Sequence, residues 1–157
     1  VMIAISMSKI NIKILKTVYW LNLLLRQTKK NPYQLERFLY PGKRDDELNH
    51  KFHRYALGKT TVSAKTVEYV DQFSEITSGL KWVFTHPLWE ILSNPNIEIN
   101  TLNNLMGQLP VDIYNKLFVS KKSQGKSHRR SLRDIRQIEA IAFFHNIDAL
   151  AALLLIM

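Results

Sequence analysis

Residues 52–70 read Phe52-His-Arg-Tyr-Ala-Leu-Gly-Lys-Thr-Thr-Val-Ser-Ala-Lys-Thr-Val-Glu-Tyr-Val70. The stretch predicts a helix that ends at Gly58, because glycine readily adopts the left-handed conformation that closes many helices. A short polar connection follows, and Ser63 is placed to cap the first turn of a second helix. Small DNA-binding domains join two helices through such a turn. The segment therefore predicts helical structure and points to a partner.

Helical signals continue on both sides of this segment. Apolar residues between Ser8 and Lys29 recur at helical spacing. Asn31-Pro32 supplies a cap and a proline at the first position of a further helix, which Pro41-Gly42 ends. No run of alternating polar and apolar residues predicts a sheet. We therefore predict an all-α fold, a compact multi-helix domain with a helix-turn-helix-like segment and a long C-terminal helix.

The domain organisation is predicted from the segment that follows residue 120. Residues 121–130 contain Ser, Gly and Gln among basic residues and no large apolar residue, which is typical of a flexible linker. We predict a helical domain over 1–120, with the helix-turn-helix-like region at 31–75, and a helix over 131–157. That helix ends abruptly in Leu-Leu-Leu-Ile-Met, so we expect the natural protein to continue or its end to dock on a partner.

Two compositional features bear on the compartment. The chain has no cysteine, which excludes disulfides and thiol nucleophiles and fits the reducing cytoplasm. The apolar stretch 138–157 is long enough to consider as a membrane span, but it contains Glu139 and Asp148. Each charge near the centre of a membrane helix costs about 2.5–3.5 kcal/mol. We therefore predict a cytoplasmic protein without a membrane helix.

The chain is strongly basic, with a net charge of +9 and 22 Lys and Arg against 13 Asp and Glu. Such a charge favours nucleic acid or another anionic partner. Residues 121–136 hold seven of the basic residues against one acidic residue, Asp134. Two interpretations of that segment remain open. It is either an arm that binds phosphates or a solvated linker followed by the charged start of a helix.

The segment at residues 52–70 resembles the helix-turn-helix domains of the phage-repressor and Cro type. It is also similar to a stretch in poorly characterised bacterial proteins, where a His-Pro-Leu-Trp element follows, here at residues 86–89. The resemblance covers residues 31–92 and implies a bacterial or phage-like DNA-binding protein, such as a transcriptional regulator. It rests on Phe52, Arg54, Tyr55, Gly58, Lys59, Ser63, Thr66, Val67 and Val70.

The resemblance implies that a helix over 45–57 lies in the major groove of double-stranded DNA. Asn49 would then pair with adenine, while lysine and arginine would contact guanine or phosphate. The candidate DNA-binding residues near this helix are Lys43, Arg44, Asn49, Lys51, Arg54, Lys59 and Lys65. Those in the basic segment are Lys121, Lys122, Lys126, Arg129, Arg130, Arg133 and Arg136.

Two departures favour an alternative function. Asp45-Asp46-Glu47 would begin the groove helix with three charges that repel phosphate, and the connection over 40–44 is longer than usual. The alternative is a helical protein-interaction or scaffold module, which binds a protein partner or a second copy through the apolar terminal helices. We expect no enzyme, since no glycine-rich phosphate loop or nucleophile elbow occurs. We expect no cofactor, and Asp46, His50 and His53 offer only a weak metal-site pattern.

Overall fold

The computed structural model describes residues 11–73, 80–94, 96–120, 127–129, 139, 141–142 and 146–156. The fold is all-α, as predicted. The helices are α1 (Ile12–Thr28), α2 (Pro32–Leu39), α3 (Lys51–Ala56), α4 (Ala64–Asp71), α5 (Leu88–Ser93), α6 (Ile99–Gly107), α7 (Val111–Leu117) and α8 (Ile147–Ile156). Two 3-10 helices lie at Asp45–Glu47 and Leu80–Thr85, and two three-residue strands, β1 (Phe118–Ser120) and β2 (Ser127–Arg129), pair antiparallel.

The chain divides into two compact units, unit 1 at residues 1–85 and unit 2 at residues 86–157. Of the segment 121–130, predicted as a linker between domains, the structure describes residues 127–129. These form strand β2, whose Ser127 pairs with Ser120 and whose Arg129 pairs with Phe118. The basic segment therefore includes a short hairpin strand where a loop was predicted.

Unit 1 is built on α1, which contacts α3 and the 3-10 helix at Leu80–Thr85. Asn11 caps α1 by accepting a hydrogen bond from the Ile14 amide, and the helix ends at Lys29, whose φ is +53°. Trp20 is completely buried. Its ring stacks on Phe52 at 6.5 Å between centroids and lies 6.1 Å from Phe84. The aromatic core thus joins α1 to α3 and to this 3-10 helix.

The predicted start of α2, end of α3 and start of α4 are confirmed. Asn31 and Gln34 form a reciprocal capping box at the start of α2, with Pro32 at the first helical position. Gly58 follows α3 with a φ of +65°, and Ser63 caps α4 by accepting a hydrogen bond from the Thr66 amide. Local signals therefore act here as the sequence predicts.

The single helix predicted over 45–57 is wrong. Asp45–Glu47 form a 3-10 turn, Leu48 is extended, and α3 begins only at Lys51. The extended backbone carries the Leu48 side chain into the core, where it is 5% exposed. His50 then adopts a left-handed φ of +50°, which interrupts helical hydrogen bonding. Burial of one leucine therefore outweighs the favourable placement of three carboxylates at a helix start.

Unit 2 surrounds α8, which contacts α5, α6 and α7. Ala151 and Ala152 are fully buried, and Leu105, Met106 and Ile113 complete the core against them. The helix begins at Ile147 because Asn146 caps it, accepting a hydrogen bond from the Ala149 amide at 2.8 Å. The helix predicted over 131–157 is therefore not helical at Asn146, and residues 131–138, 140, 143–145 and 157 lie outside the described residues.

Within the described ranges, no helix combines the length and the apolar character needed to cross a membrane. Helix α8 is the most apolar of them but has ten residues. At about 1.5 Å per residue it covers roughly half of a hydrocarbon core of about 30 Å.

Candidate nucleic-acid interface

The connection between α3 and α4 is held by hydrogen bonds at both ends. At the end of α3, the Gly58 amide donates to the Tyr55 carbonyl and the Lys59 amide donates to the Arg54 carbonyl, both at 3.0 Å. These two bonds form a Schellman motif, which requires the left-handed residue that Gly58 supplies. The α3 terminus therefore has one defined exit direction.

Helix α1 fixes the rest of this connection. The Val62 amide donates a hydrogen bond to the Thr17 hydroxyl at 3.1 Å, and that hydroxyl donates to the Lys13 carbonyl at 2.9 Å. Gly58 lies so close to α1 that an added Cβ would be 3.2 Å from the Ile14 side chain. The two helices and their turn are thus one packed structure that presents its outer residues in fixed places.

Three predicted site residues lie exposed along this structure. Arg54 is on α3, Lys59 follows its terminus, and Lys65 is in the first turn of α4. Among the residues that the structure describes, no carboxylate lies within ion-pair distance of these three side chains. Their charges are therefore available to an external anion.

Arg44, another predicted site residue, is engaged within the protein. Its guanidinium lies 3.5 Å from the Asp46 carboxylate and 3.4 Å from the Glu47 carboxylate. Arg37 lies 3.1 Å from the third carboxylate, Asp45. The two arginines thus offset two of the three negative charges of the acidic turn that is expected to repel DNA, and Arg44 is not a free cation.

The side-chain ammonium groups of Lys43 and Lys51 both lie near the Tyr40 ring. The Lys51 ammonium donates to the Tyr40 hydroxyl at 2.7 Å and lies 4.6 Å from the centre of its ring. The Lys43 ammonium lies 5.4 Å from the same ring centre. Tyr40 stacks on Tyr69 with a 5.3 Å separation and an 8° interplanar angle. The sequence does not reveal this aromatic pair, because Tyr40, which follows α2, and Tyr69 of α4 lie about thirty residues apart.

Asn49 is exposed, but its side chain is engaged in the turn that precedes α3. Its side-chain oxygen accepts a hydrogen bond from the Lys51 amide at 3.1 Å. A bidentate contact with adenine uses both the oxygen and the nitrogen of an asparagine amide. Contact with a base through Asn49 would therefore compete with the start of α3.

The remaining predicted residues fall in or near the basic segment. Arg129 is in β2, and its backbone pairs with Phe118. Lys121, Lys122, Lys126, Arg130, Arg133 and Arg136 lie outside the described residues.

The metal pattern proposed from spacing does not form. Asp46 belongs to the 3-10 turn, His50 is the left-handed residue before α3, and His53 is on α3, so the three do not share one helical face. No group of three histidine or acidic residues suited to a metal ion occurs in the described part of the chain.

Unit 2 contains a buried polar contact that the sequence did not reveal. The His86 Nε2 atom lies 2.9 Å from the Asp148 carboxylate, and His86 Nδ1 accepts a hydrogen bond from the Leu88 amide at 3.1 Å. An amide must donate, so the ring proton lies on Nε2 and points to Asp148. Both nitrogens are occupied within the protein. The pair therefore joins the start of α5 to α8 and has no free nitrogen to act as a base.

Comparison with known proteins found no matching family model, no matching curated protein and no matching solved structure. The function is therefore inferred from the charges and contacts of the chain itself.

Proposed function

We propose that the chain is a double-stranded DNA-binding protein of bacterial or phage-like type, acting in the cytoplasm as a transcriptional regulator. The observation that supports this function is the distribution of charge in unit 1. The carboxylates of the acidic turn are paired with Arg37 and Arg44, whereas Arg54, Lys59 and Lys65 are exposed without such partners. Unit 1 thus exposes cations without carboxylate partners at the α3–α4 connection, while the carboxylates of its acidic turn are paired with arginines.

The charges of the two units also support a DNA-binding surface on unit 1. Residues 1–85 contain fourteen Lys and Arg against seven Asp and Glu, while residues 86–157 contain eight against six. Most of the excess therefore belongs to unit 1, although the densest basic run is in unit 2. Lysines and arginines that neutralise phosphates release condensed counterions, which drives binding and makes it salt-dependent.

The proposed contacts are mainly with phosphates. Arg54 and Lys59 lie on the outside of the connection, where α1 holds the backbone in place. Contacts of this kind set the register of a protein on a duplex but carry little sequence information. Discrimination between bases would then fall to Arg54 or to the basic segment, since the Asn49 side chain already bonds the Lys51 amide.

A protein-interaction module is the second candidate, and two exposed apolar side chains favour it. Leu57 is 54% exposed and Trp82 is 44% exposed. A cavity of about 210 Å³ between α4 and the 3-10 helix at Leu80–Thr85 is lined by four apolar residues together with Glu68 and Lys81. The terminal helices support this function less, because Trp20 and Leu24 of α1 and Ala152 of α8 are buried within their own units.

The test is a salt titration of binding to labelled random duplex DNA. The variant Arg54→Gln/Lys59→Gln/Lys65→Gln removes the exposed cations of the connection. The matched control, Lys13→Gln/Arg26→Gln/Lys81→Gln, removes the same number of exposed charges from elsewhere in unit 1. We expect the slope of log affinity against log salt to become shallower by about 1 for each lost phosphate contact in the first variant. The control should keep the slope of the unchanged protein.

Two results would overturn this function. Absence of binding at about 50 mM salt, where phosphate contacts are strongest, excludes DNA as the partner. Equal slopes for the two triple variants would mean that net charge, rather than the α3–α4 surface, determines binding. An intact fold in each variant is checked by circular dichroism and thermal unfolding.

A further inference from the structure

We propose that Tyr40, Lys43 and Lys51 form a phosphate-binding point that holds one phosphate of the DNA backbone. This inference rests on the proposed function and assigns a specific role to residues beside the α3–α4 surface. The two lysines come from different elements. Lys43 follows α2 and Lys51 begins α3, and both ammonium groups lie within 5.4 Å of the Tyr40 ring centre.

The two ammonium groups have no compensating carboxylate. Asp45, Asp46 and Glu47 lie between the lysines in the sequence, but their carboxylates pair with Arg37 and Arg44. Elsewhere in the described ranges no carboxylate is within ion-pair distance of Lys43 or Lys51. Two like charges held at one ring repel each other, and an anion bound between them would relieve that repulsion.

The site is held in place by the aromatic stack behind it. Tyr40 stacks on Tyr69, whose hydroxyl donates to the Leu39 carbonyl at 2.8 Å. The Phe73 ring packs edge-on against Tyr69, with 5.2 Å between ring centroids, and lies tilted against Phe38, with 5.9 Å between centroids. Binding groups held by such packing lose little conformational freedom when a ligand arrives. The half-buried Lys51 is additionally fixed by its hydrogen bond to the Tyr40 hydroxyl.

The chemistry favours a phosphate over a nucleobase. Base stacking needs an open aromatic face, but Tyr69 lies along Tyr40 and the lysine ammonium groups also lie over its ring. Lysine binds phosphate as a point charge with several donors. Each ammonium group has three hydrogens, so Lys51 can keep its bond to Tyr40 while donating to a phosphate oxygen.

The test compares two double variants in the same salt titration on duplex DNA. Lys43→Gln/Lys51→Gln removes the site, and Lys13→Gln/Lys81→Gln removes two exposed lysines that contact no aromatic ring in the described structure. We expect the first variant to lose affinity more than tenfold at low salt and its slope to fall by about 1, for one phosphate. The control variant should keep the affinity and the salt slope of the unchanged protein.

The variant Tyr40→Phe tests how the position of the Lys51 ammonium affects binding, because it removes the hydroxyl that orients Lys51 while both lysine charges remain. Phenylalanine keeps the stack on Tyr69 and the ring beneath the ammonium groups but removes the hydroxyl that Lys51 contacts. We expect a loss of affinity of severalfold with an unchanged salt slope, because both positive charges remain. A residue that only supported the fold would change thermal stability and leave the affinity of the folded protein unaltered.

The outcomes separate this site from the proposed function. If the unchanged protein binds DNA but the Lys43/Lys51 variant and the control behave alike, the phosphate site is wrong and the proposed function stands. If the unchanged protein does not bind DNA, both fail. A third titration with inorganic phosphate, followed by NMR of the lysine ammonium groups, distinguishes the phosphate source. Shifts with free phosphate but none with duplex would overturn the assignment to DNA.

Discussion

Thr17 and Thr60 show how differently one residue type contributes within unit 1. The Thr17 hydroxyl is buried, accepts a hydrogen bond from the Val62 amide and donates to the Lys13 carbonyl. The Thr60 hydroxyl oxygen is also buried, but it has no hydrogen-bond partner in the described structure. A buried polar group without a partner loses its hydration without compensation.

Replacing each threonine by the nearly isosteric valine should therefore have opposite effects. Thr17→Val leaves the Val62 amide unpaired and should lower the free energy of unfolding by about 1–3 kcal/mol. Thr60→Val removes an unpaired hydroxyl and should raise the free energy of unfolding by up to about 1 kcal/mol. Urea unfolding followed by circular dichroism measures both. Equal losses in the two variants would show that the hydroxyl contacts do not account for the difference.

At the scale of an element, the end of α3 depends on one glycine. Gly58 has a φ of +65° and completes the Schellman motif. Gly42 offers a matched comparison, since its φ is not in the left-handed region and an added Cβ would meet nothing within 4 Å. The two glycines therefore have different physical roles, although both follow a predicted helix end.

We predict that Gly58→Ala lowers the free energy of unfolding by about 1–2 kcal/mol, from left-handed strain alone. The close approach to Ile14 would add to this cost. Gly42→Ala should be neutral or raise the free energy of unfolding by up to about 1 kcal/mol, because alanine restricts the unfolded chain. Thermal and urea unfolding of both variants provide the measurement. Similar values for the two would contradict the assigned role of Gly58.

At the scale of the whole molecule, the electrostatic potential that a partner meets depends on how charges are paired as well as on their sum. The chain carries +9 overall, yet Arg44 contributes little to an external field because two carboxylates lie beside it. The ion pairs of Arg44 are exposed, so they add less than about 1 kcal/mol to stability. Their larger effect is on the potential that an approaching anion meets.

Changing this pairing should alter DNA binding with little effect on stability. Asp46→Asn/Glu47→Gln frees Arg44 and should tighten binding at low salt severalfold. Arg44→Gln leaves the two carboxylates uncompensated and should weaken binding. Both effects should shrink as salt approaches 1 M, where screening acts within about 3 Å. Affinity and thermal stability are measured side by side. Equal affinities for the two variants at low salt would show that the acidic turn lies away from the DNA.

Much of the fold could be predicted from the sequence because many of its signals are local. The all-α class, the capping box at Asn31 and the turn between Gly58 and Ser63 depend on contacts within a few residues. Such contacts form in the same way wherever the segment is placed. The candidate site was predicted in part for the same reason, since Arg54, Lys59 and Lys65 are exposed on those helices and their turn.

The tertiary structure decided the features that depend on residues far apart. Because Leu48 is buried, residues 45–57 do not form one helix. Arg37 and Arg44 instead form ion pairs with the carboxylates of the 3-10 turn. Stacking of Tyr40 on Tyr69 placed the ring at which Lys43 and Lys51 meet. Helix propensities differ by less than about 1 kcal/mol per residue, whereas burying a leucine contributes about 1.5–3 kcal/mol. At residues 45–50, packing of Leu48 therefore overrode the local preference for a helix.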